Sequence, residues 1–131
     1  MRISATASFK PANTSSLVSR IAAGALQGVT NAGQQALELE QSLTPVETGA
    51  LRDSEQCVVT SDSTSASATV GPTMFYDEYV EYGTGRKGGP APYPHVETWP
   101  GQHPEPYARP MMDEMSGKVS DIIADAIKEA L

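Results

Sequence analysis

The 131-residue sequence is short of cysteine, of aromatic residues and of long apolar runs. Its one cysteine, Cys57, excludes a disulfide within the chain and a metal site built from cysteines. No apolar run approaches the roughly 18 residues of a membrane span, and the first residues lack the apolar stretch of a signal peptide, so we expect a soluble protein made in a reducing cytoplasm. Aromatic residues make up only 6%, and the resulting small, alanine-rich core favours burial against neighbouring copies.

Basic residues are also scarce, because the chain has nine of them against sixteen acidic residues and a net charge of −7. Phosphate contacts need clustered Lys and Arg, so this balance argues against a nucleic-acid-binding domain. The charge is compatible with an ordinary solvated surface. It is equally compatible with a ring whose lumen lets DNA slide past without gripping it.

Groups that could carry chemistry are few. The one conceivable metal set is His95, Glu97 and His103, but these residues lie in a proline-broken loop and match no structured metal spacing. Ser54 is not part of a nucleophile elbow, and Gly83–Gly85 lacks the surroundings of a phosphate-binding loop. We therefore expect no catalytic residue, no cofactor and no metal. We also expect that the protein is not an enzyme. A small metal-dependent hydrolase using the two histidines and Glu97 is the alternative from another class.

The first third of the chain predicts a strand and a long helix. Apolar and polar residues alternate over residues 2–10, which is typical of a half-buried strand that Pro11 ends. Cap candidates at Asn13–Ser16 then open a helix that runs to about Leu43. Many of its residues are small, which allows two interpretations: a groove in which another helix or a neighbouring subunit packs closely, or a long helix of middling stability. These residues are Ala22, Ala23, Gly24, Gly28, Ala32, Gly33 and Ala36.

The middle of the chain predicts a hairpin and a short helix. Pro45 and Gly49 end the long helix and change the chain direction, after which 51–61 and 64–70 form strands joined by a turn at 62–63. The hairpin's apolar face is thin, so we expect it to pack on the first strand, on a helix, or on a neighbour's hairpin. Thr73 could cap a short helix ending at Tyr82. We place Phe75, Tyr76, Tyr79, Val80 and Tyr82 on its apolar face and Asp77, Glu78 and Glu81 on its polar face.

The last third predicts an irregular arm and a final helix. Gly83 stands where a left-handed C-cap would lie, and prolines and glycines interrupt the chain up to residue 106. Aromatic residues within 87–106 favour an extended arm that lies on a neighbouring molecule. Pro110 suits a first helical position, with Asp113 and Glu114 in the first turn and Lys128 in the last.

The element order predicts one α+β domain over residues 1–131. We expect a small antiparallel sheet, made of the N-terminal strand plus the hairpin, packed with a long N-terminal helix, a short middle helix and a C-terminal helix.

Three segments resemble a known family when they are taken together. They are Thr44–Ser54 (TPVETGALRDS), Tyr79–Gly85 (YVEYGTG) and Pro106–Pro110 (PYARP). The tail-completion (head–tail connector, or neck) proteins of long-tailed bacteriophages have a TPVdTGxLRxS turn, a YaxyVExGTG segment and a PfmRPAl helix start in this order. The gap before the last motif is longer here, so residues 88–104 look like an insertion.

The resemblance implies a structural virion protein of the neck that joins the DNA-filled head to the tail. Family members form an oligomeric ring, typically a homo-hexamer, between the head-side connector protein and the tail tube or tail terminator. DNA passes through the ring without sequence-specific binding. A tail terminator or a head-closure protein is the alternative within the same class. The resemblance and the arm suggest these residues as contacts to subunits or partners: Thr48, Gly49, Leu51, Arg52, Tyr82, Gly83, Thr84, Gly85, Arg86, Tyr93, Trp99, Tyr107 and Arg109.

Overall fold

The computed structural model describes residues 3–8, 15–46, 49–74, 76–84 and 101–131. Their fold is α+β, as the sequence predicts: a three-stranded antiparallel sheet with a long N-terminal helix and C-terminal helices. Among the described helices, none has both the length and the apolar character needed to cross a bilayer. In chain order the elements are β1 (Ile3–Ser8), α1 (Ser15–Leu43), α2 (Ala50–Ser54), β2 (Gln56–Ser61), β3 (Ser65–Gly71), α3 (Asp77–Tyr82), α4 (Ala108–Ser116) and α5 (Val119–Ala130).

The sheet has the strand order β1-β3-β2, so the second strand of the hairpin lies in the centre. Ile3 lies opposite Val70 on one side of β3, and Gln56 lies opposite Gly71 on the other. The hairpin turn is closed by Asp62, whose Oδ1 accepts hydrogen bonds from the backbone N–H groups of Thr64 (2.7 Å) and Ser65 (2.8 Å). The predicted hairpin is confirmed, and it packs on the first strand.

One face of the sheet is apolar and covered by helices. On β3, Ala66, Ala68 and Val70 are buried, while the alternate residues carry hydroxyl groups on the opposite face. Val29 of α1 packs against Ala66 and Ala68, and Met111 of α4 belongs to the same cluster as Val70. Two of the core clusters therefore lie between the sheet and the helices, and a third, around Leu51, Tyr107 and Ala108, contains no strand residue.

The small residues of α1 form a groove, and the chain's own elements fill it. A Cβ placed on Gly28 would lie 2.6 Å from the Cα of Ile123 in α5, and one placed on Gly33 would lie 2.6 Å from the Sγ of Cys57 in β2. Both distances are too short for any side chain beyond hydrogen. In this structure the occupant of the groove is α5 on one side and the sheet on the other.

The strand expected over residues 51–61 is wrong in its first half. Gly49 has φ 82°, and its carbonyl accepts a hydrogen bond from the N–H of Asp53 at 2.8 Å, so a short helix, α2, forms before the strand. This helix buries Leu51 in the core. The chain becomes extended only at Glu55, and β2 begins at Gln56.

The prediction of a single final helix is also wrong, because the structure has two helices there, α4 and α5. Gly117 and Lys118 form a turn in which the N–H of Lys118 bonds to the carbonyl of Met115 at 2.9 Å. Because α4 begins at Ala108, Pro110 occupies its third position, and Asp113 and Glu114 lie beyond the first turn. Lys128 does lie in the last turn of α5, as predicted.

Candidate functional site

The three motifs of the sequence, far apart along the chain, meet in one apolar cluster. Leu51 from the first motif is buried with Tyr107 and Ala108 from the third. Val80 from the second motif packs against them, together with Met74 and Tyr76. The motifs therefore build one local structure.

A buried carboxylate, that of Glu81, connects the second motif to the third. Glu81 is fully buried at the start of α4. Its Oε2 accepts hydrogen bonds from the N–H groups of Tyr107 (2.8 Å) and Ala108 (3.0 Å), and its Oε1 accepts one from the N–H of Arg109 (3.1 Å). A helix start leaves such N–H groups unpaired and carries partial positive charge, so an anion there is favourable.

The remaining N–H groups of this helix start are also accounted for. Pro110 has no N–H to satisfy, and the N–H of Met111 bonds to the carbonyl of Tyr107 at 3.4 Å. Glu81 is thus the N-terminal cap of α4, contributed from 26 residues earlier in the chain. This remote cap explains why α4 begins at Ala108 and not at Pro110.

Arg109 completes the arrangement with a charge of opposite sign. Its Nε donates to Oε1 of Glu81 at 2.8 Å, and a terminal nitrogen donates to the backbone carbonyl of Glu81 at 3.1 Å. The guanidinium lies 4.8 Å from the ring centroid of Tyr82, which is cation–π distance. The side chain of Arg109 remains 44% exposed, so it neutralises a buried charge from the protein surface. We call Glu81, Tyr82 and Tyr107–Arg109 the Glu81 clamp.

The clamp keeps Glu81 ionised. Burial alone would raise its pKa, but the backbone N–H groups of Tyr107 and Ala108, together with Arg109, bond to the charged form and lower the pKa below the ordinary value. A group with a lowered pKa contributes stability at neutral pH and loses it as the pH falls through the folded-state pKa.

Residues 101–106 are tied to α3 by backbone hydrogen bonds. Thr84 and Gln102 form an isolated antiparallel bridge, with N···O distances of 3.0 and 3.1 Å, and the N–H of Glu105 bonds to the carbonyl of Val80 at 2.9 Å. Gly83 has a positive φ of 76°, as expected, but its ψ of −179° is extended. The predicted left-handed C-cap is therefore wrong: Gly83 leads directly into the bridge.

The last residue of the first motif, Ser54, is joined to Thr73 by two long hydrogen bonds. Oγ of Ser54 accepts a hydrogen bond from the N–H of Thr73, and the carbonyl of Ser54 accepts one from the Thr73 hydroxyl, both at 3.3 Å. Arg52 pairs with its neighbour Asp53 at 3.4 Å on the surface, and an exposed pair of this kind adds little stability.

The cleft between the motifs is small. It measures about 110 Å³ and is lined by residues of the first motif, of α3 and of the segment that precedes α4. Small-molecule sites in proteins typically measure roughly 300–1,000 Å³. The cleft is of a size for one side chain of a partner rather than for a nucleotide-sized cofactor.

Besides Glu81, two further buried acids lie close together near the end of α1. Glu40 is fully buried with neither carboxyl oxygen hydrogen-bonded, and Glu55 is almost fully buried with one oxygen unpaired. The hydroxyl of Thr44, which has one proton, contacts Oε1 of Glu55 and lies 2.8 Å from the carbonyl of Glu40.

These two acids hold their protons more tightly than usual. Burial, and then the proximity of Glu55, raises the pKa of Glu40 to about 8. Burial also raises the pKa of Glu55, although the bond from Thr44 opposes the shift. In contrast to Glu81, no hydrogen-bond donor among the described residues reaches the carboxyl of Glu40, and burial favours the neutral acid there.

The predicted contact residues fall into three groups. Thr48, Gly85, Arg86, Tyr93 and Trp99 lie outside the described residues, as do His95, Glu97 and most of the arm. The side chains of Leu51 and Tyr107 are buried inside the domain, and Gly49 and Gly83 are buried as well. Arg52, Tyr82, Thr84 and Arg109 keep exposed area that a neighbour could contact.

The predicted metal set is only partly within the described residues, since His103 alone of its three members is described. Within the described ranges, no group of three or more His, Cys, Asp or Glu side chains is placed to hold a metal ion.

The predictions from sequence miss the burial of two residues of these sites, Glu81 and Glu40. Glu81 was placed on the polar face of its helix, but it is buried because its donors come from a distant segment. Glu40 follows Ala36 by four positions on the buried stripe of α1, so helical spacing alone could have identified it as buried.

No protein-family model, no curated protein and no solved structure matches this chain.

Substitution of Glu81 tests the clamp. Glu81→Gln keeps the shape but removes the charge and turns an amide towards N–H donors, so we expect a loss of about 2–4 kcal/mol in the free energy of unfolding. Glu78→Gln changes the same charge on the same helix and should cost no more than about 0.5 kcal/mol. Urea unfolding followed by circular dichroism measures both. Equal effects of the two variants would contradict a special role for Glu81.

Substitution of Glu40 tests the buried acid pair. A carboxyl whose pKa is raised by folding contributes stability that is full below its unfolded value near 4.5 and is lost as the pH rises towards about 8. We expect stability to fall between about pH 5 and 8 by at most about 1.4 kcal/mol per pH unit. Glu40→Gln should flatten this slope, whereas the exposed control Glu38→Gln should keep it. A slope unchanged by Glu40→Gln would contradict the assignment.

Proposed function

We propose that this chain is a structural protein of the neck of a long-tailed bacteriophage, where it joins the DNA-filled head to the tail as a homo-oligomeric ring around the DNA channel. Its partners in this proposal are further copies of itself, the head-side connector and the tail tube or tail terminator. It would act in the host cytoplasm during assembly and remain in the virion. The ordered resemblance of three motifs to tail-completion proteins is the starting point.

The convergence of the three motifs carries the proposal. Leu51, Val80 and Tyr107 come from different motifs and pack in one cluster, and Glu81 bonds the second motif to the third. Chance matches scattered along a chain have no reason to form one connected structure. Motifs that define a common fold do.

The mechanism would be assembly, with the chemistry confined to contacts between surfaces. Arg109 reaches the surface from the start of α4, and Arg52 and Thr84 keep some exposed area on the other two motifs. Rigid elements fix the direction of such side chains, which is what repeated identical contacts around a ring require. The net charge of −7 disfavours tight binding of the DNA that passes through.

The decisive experiment is electron microscopy of lysates from a phage that lacks this gene. We expect separate DNA-filled heads and full-length tails, because nothing would bridge the two. Supplying the gene from a plasmid should restore joined virions. Joined virions without the gene would overturn the proposal, and tails of aberrant length would favour the tail terminator instead.

A further inference from the structure

The three strands carry no charged residue, although the chain as a whole has a net charge of −7. None of the residues in β1, β2 and β3 is acidic or basic, and none is a proline. The rest of the chain carries all nine basic and all sixteen acidic residues. Proteins usually protect an open sheet edge with a charged residue, a proline or a bulge, and an edge that lacks them is a template for another strand.

Both outer strands offer such an edge. In the order β1-β3-β2, each of β1 and β2 is paired on one side only. Within the described residues, no backbone hydrogen bond joins either strand to anything except β3 or the hairpin turn. The described helices cover one face of the sheet and make no backbone hydrogen bond to either outer edge.

Strand direction determines which edges can meet in a ring. β1 and β2 are both antiparallel to β3, so they run in the same direction. Rotation around a ring axis preserves direction along that axis and brings one edge of a copy to the opposite edge of the next. The outer edge of β2 then meets the outer edge of β1 in parallel, and the two strands have the same length of six residues.

We infer that neighbouring copies of this chain join by pairing β2 of one copy with β1 of the next, which continues the sheet from subunit to subunit. This inference rests on the proposed ring and names its contact surface. Charge favours this occupant over others: two chains of net charge −7 repel, and the uncharged sheet is where they approach at least electrostatic cost. A basic partner would instead be drawn to the acidic surfaces elsewhere.

Two exposed threonines allow a charge test of this contact. Thr6 in β1 and Thr60 in β2 both lie opposite Ser67, in one row of the exposed sheet face. Within a chain they are two strands apart, or about 10 Å, whereas across the proposed contact they lie on adjacent strands, which are spaced about 5 Å apart. Charges placed there act mainly between copies.

The experiment compares three double variants with the wild-type chain. Thr6→Lys with Thr60→Lys opposes like charges at every contact and should weaken self-association on the order of tenfold or more. Thr6→Lys with Thr60→Glu opposes unlike charges and should restore it. Gln34→Lys with Gln35→Lys adds the same charge on the exposed surface of α1 and should leave assembly unchanged. Sedimentation velocity measures assembly, and circular dichroism checks that each variant folds.

The same variants are then tested for their ability to restore joined virions to the phage that lacks the gene. This second assay tests the contact even if the ring forms only on the head and not in solution. Loss with the Lys/Lys pair and recovery with the Lys/Glu pair support the inference. Unchanged assembly and joining by the Lys/Lys variant would overturn the edge contact while leaving the ring proposal intact. A wild-type chain that stays monomeric and whose absence leaves virions joined would overturn both.

Discussion

The carboxylate of Glu81, buried at the first turn of α4, is the interaction on which the rest of the structure depends. A buried charge is costly unless its hydrogen bonds are made, and here four donors from Tyr107, Ala108 and Arg109 bond to it. Those donors fix where α4 begins and hold it to α3. The same contact brings Tyr107 into the cluster with Leu51, so the positions of three segments follow from one side chain.

Three glutamates are buried among the described residues, and two of them, Glu81 and Glu40, are accommodated in opposite ways. Glu81 stays ionised because backbone N–H groups and Arg109 surround it, whereas the carboxyl of Glu40 has no hydrogen-bond partner among the described residues and its pKa rises to about 8. Burial is common to both sites, so it does not decide the charge state. The charge state is decided by the hydrogen-bond donors that the fold brings to each carboxyl.

Local patterns predicted the elements that are determined locally. Alternation predicted β1, helical spacing and cap residues predicted α1, and the Asp62–Ser63 turn predicted the hairpin. The remaining features depend on distant partners. Glu81 appears polar in α3 until α4 supplies its donors, and the groove on α1 could not reveal that α5 fills it. The early start of α4 has the same origin, because its cap lies 26 residues away. The spacing of residues along the sequence does not predict such long-range contacts.

The account of the structure depends on the claim that an ionised Glu81 joins the second motif of the chain to the third. The most direct test is a nuclear magnetic resonance titration of the side-chain carboxyl of Glu81 in the folded protein. The account predicts a pKa below that of an ordinary glutamate, well separated from that of Glu40. A pKa of Glu81 at or above the ordinary value would mean that the donors of α4 do not hold its charge, and it would contradict the account.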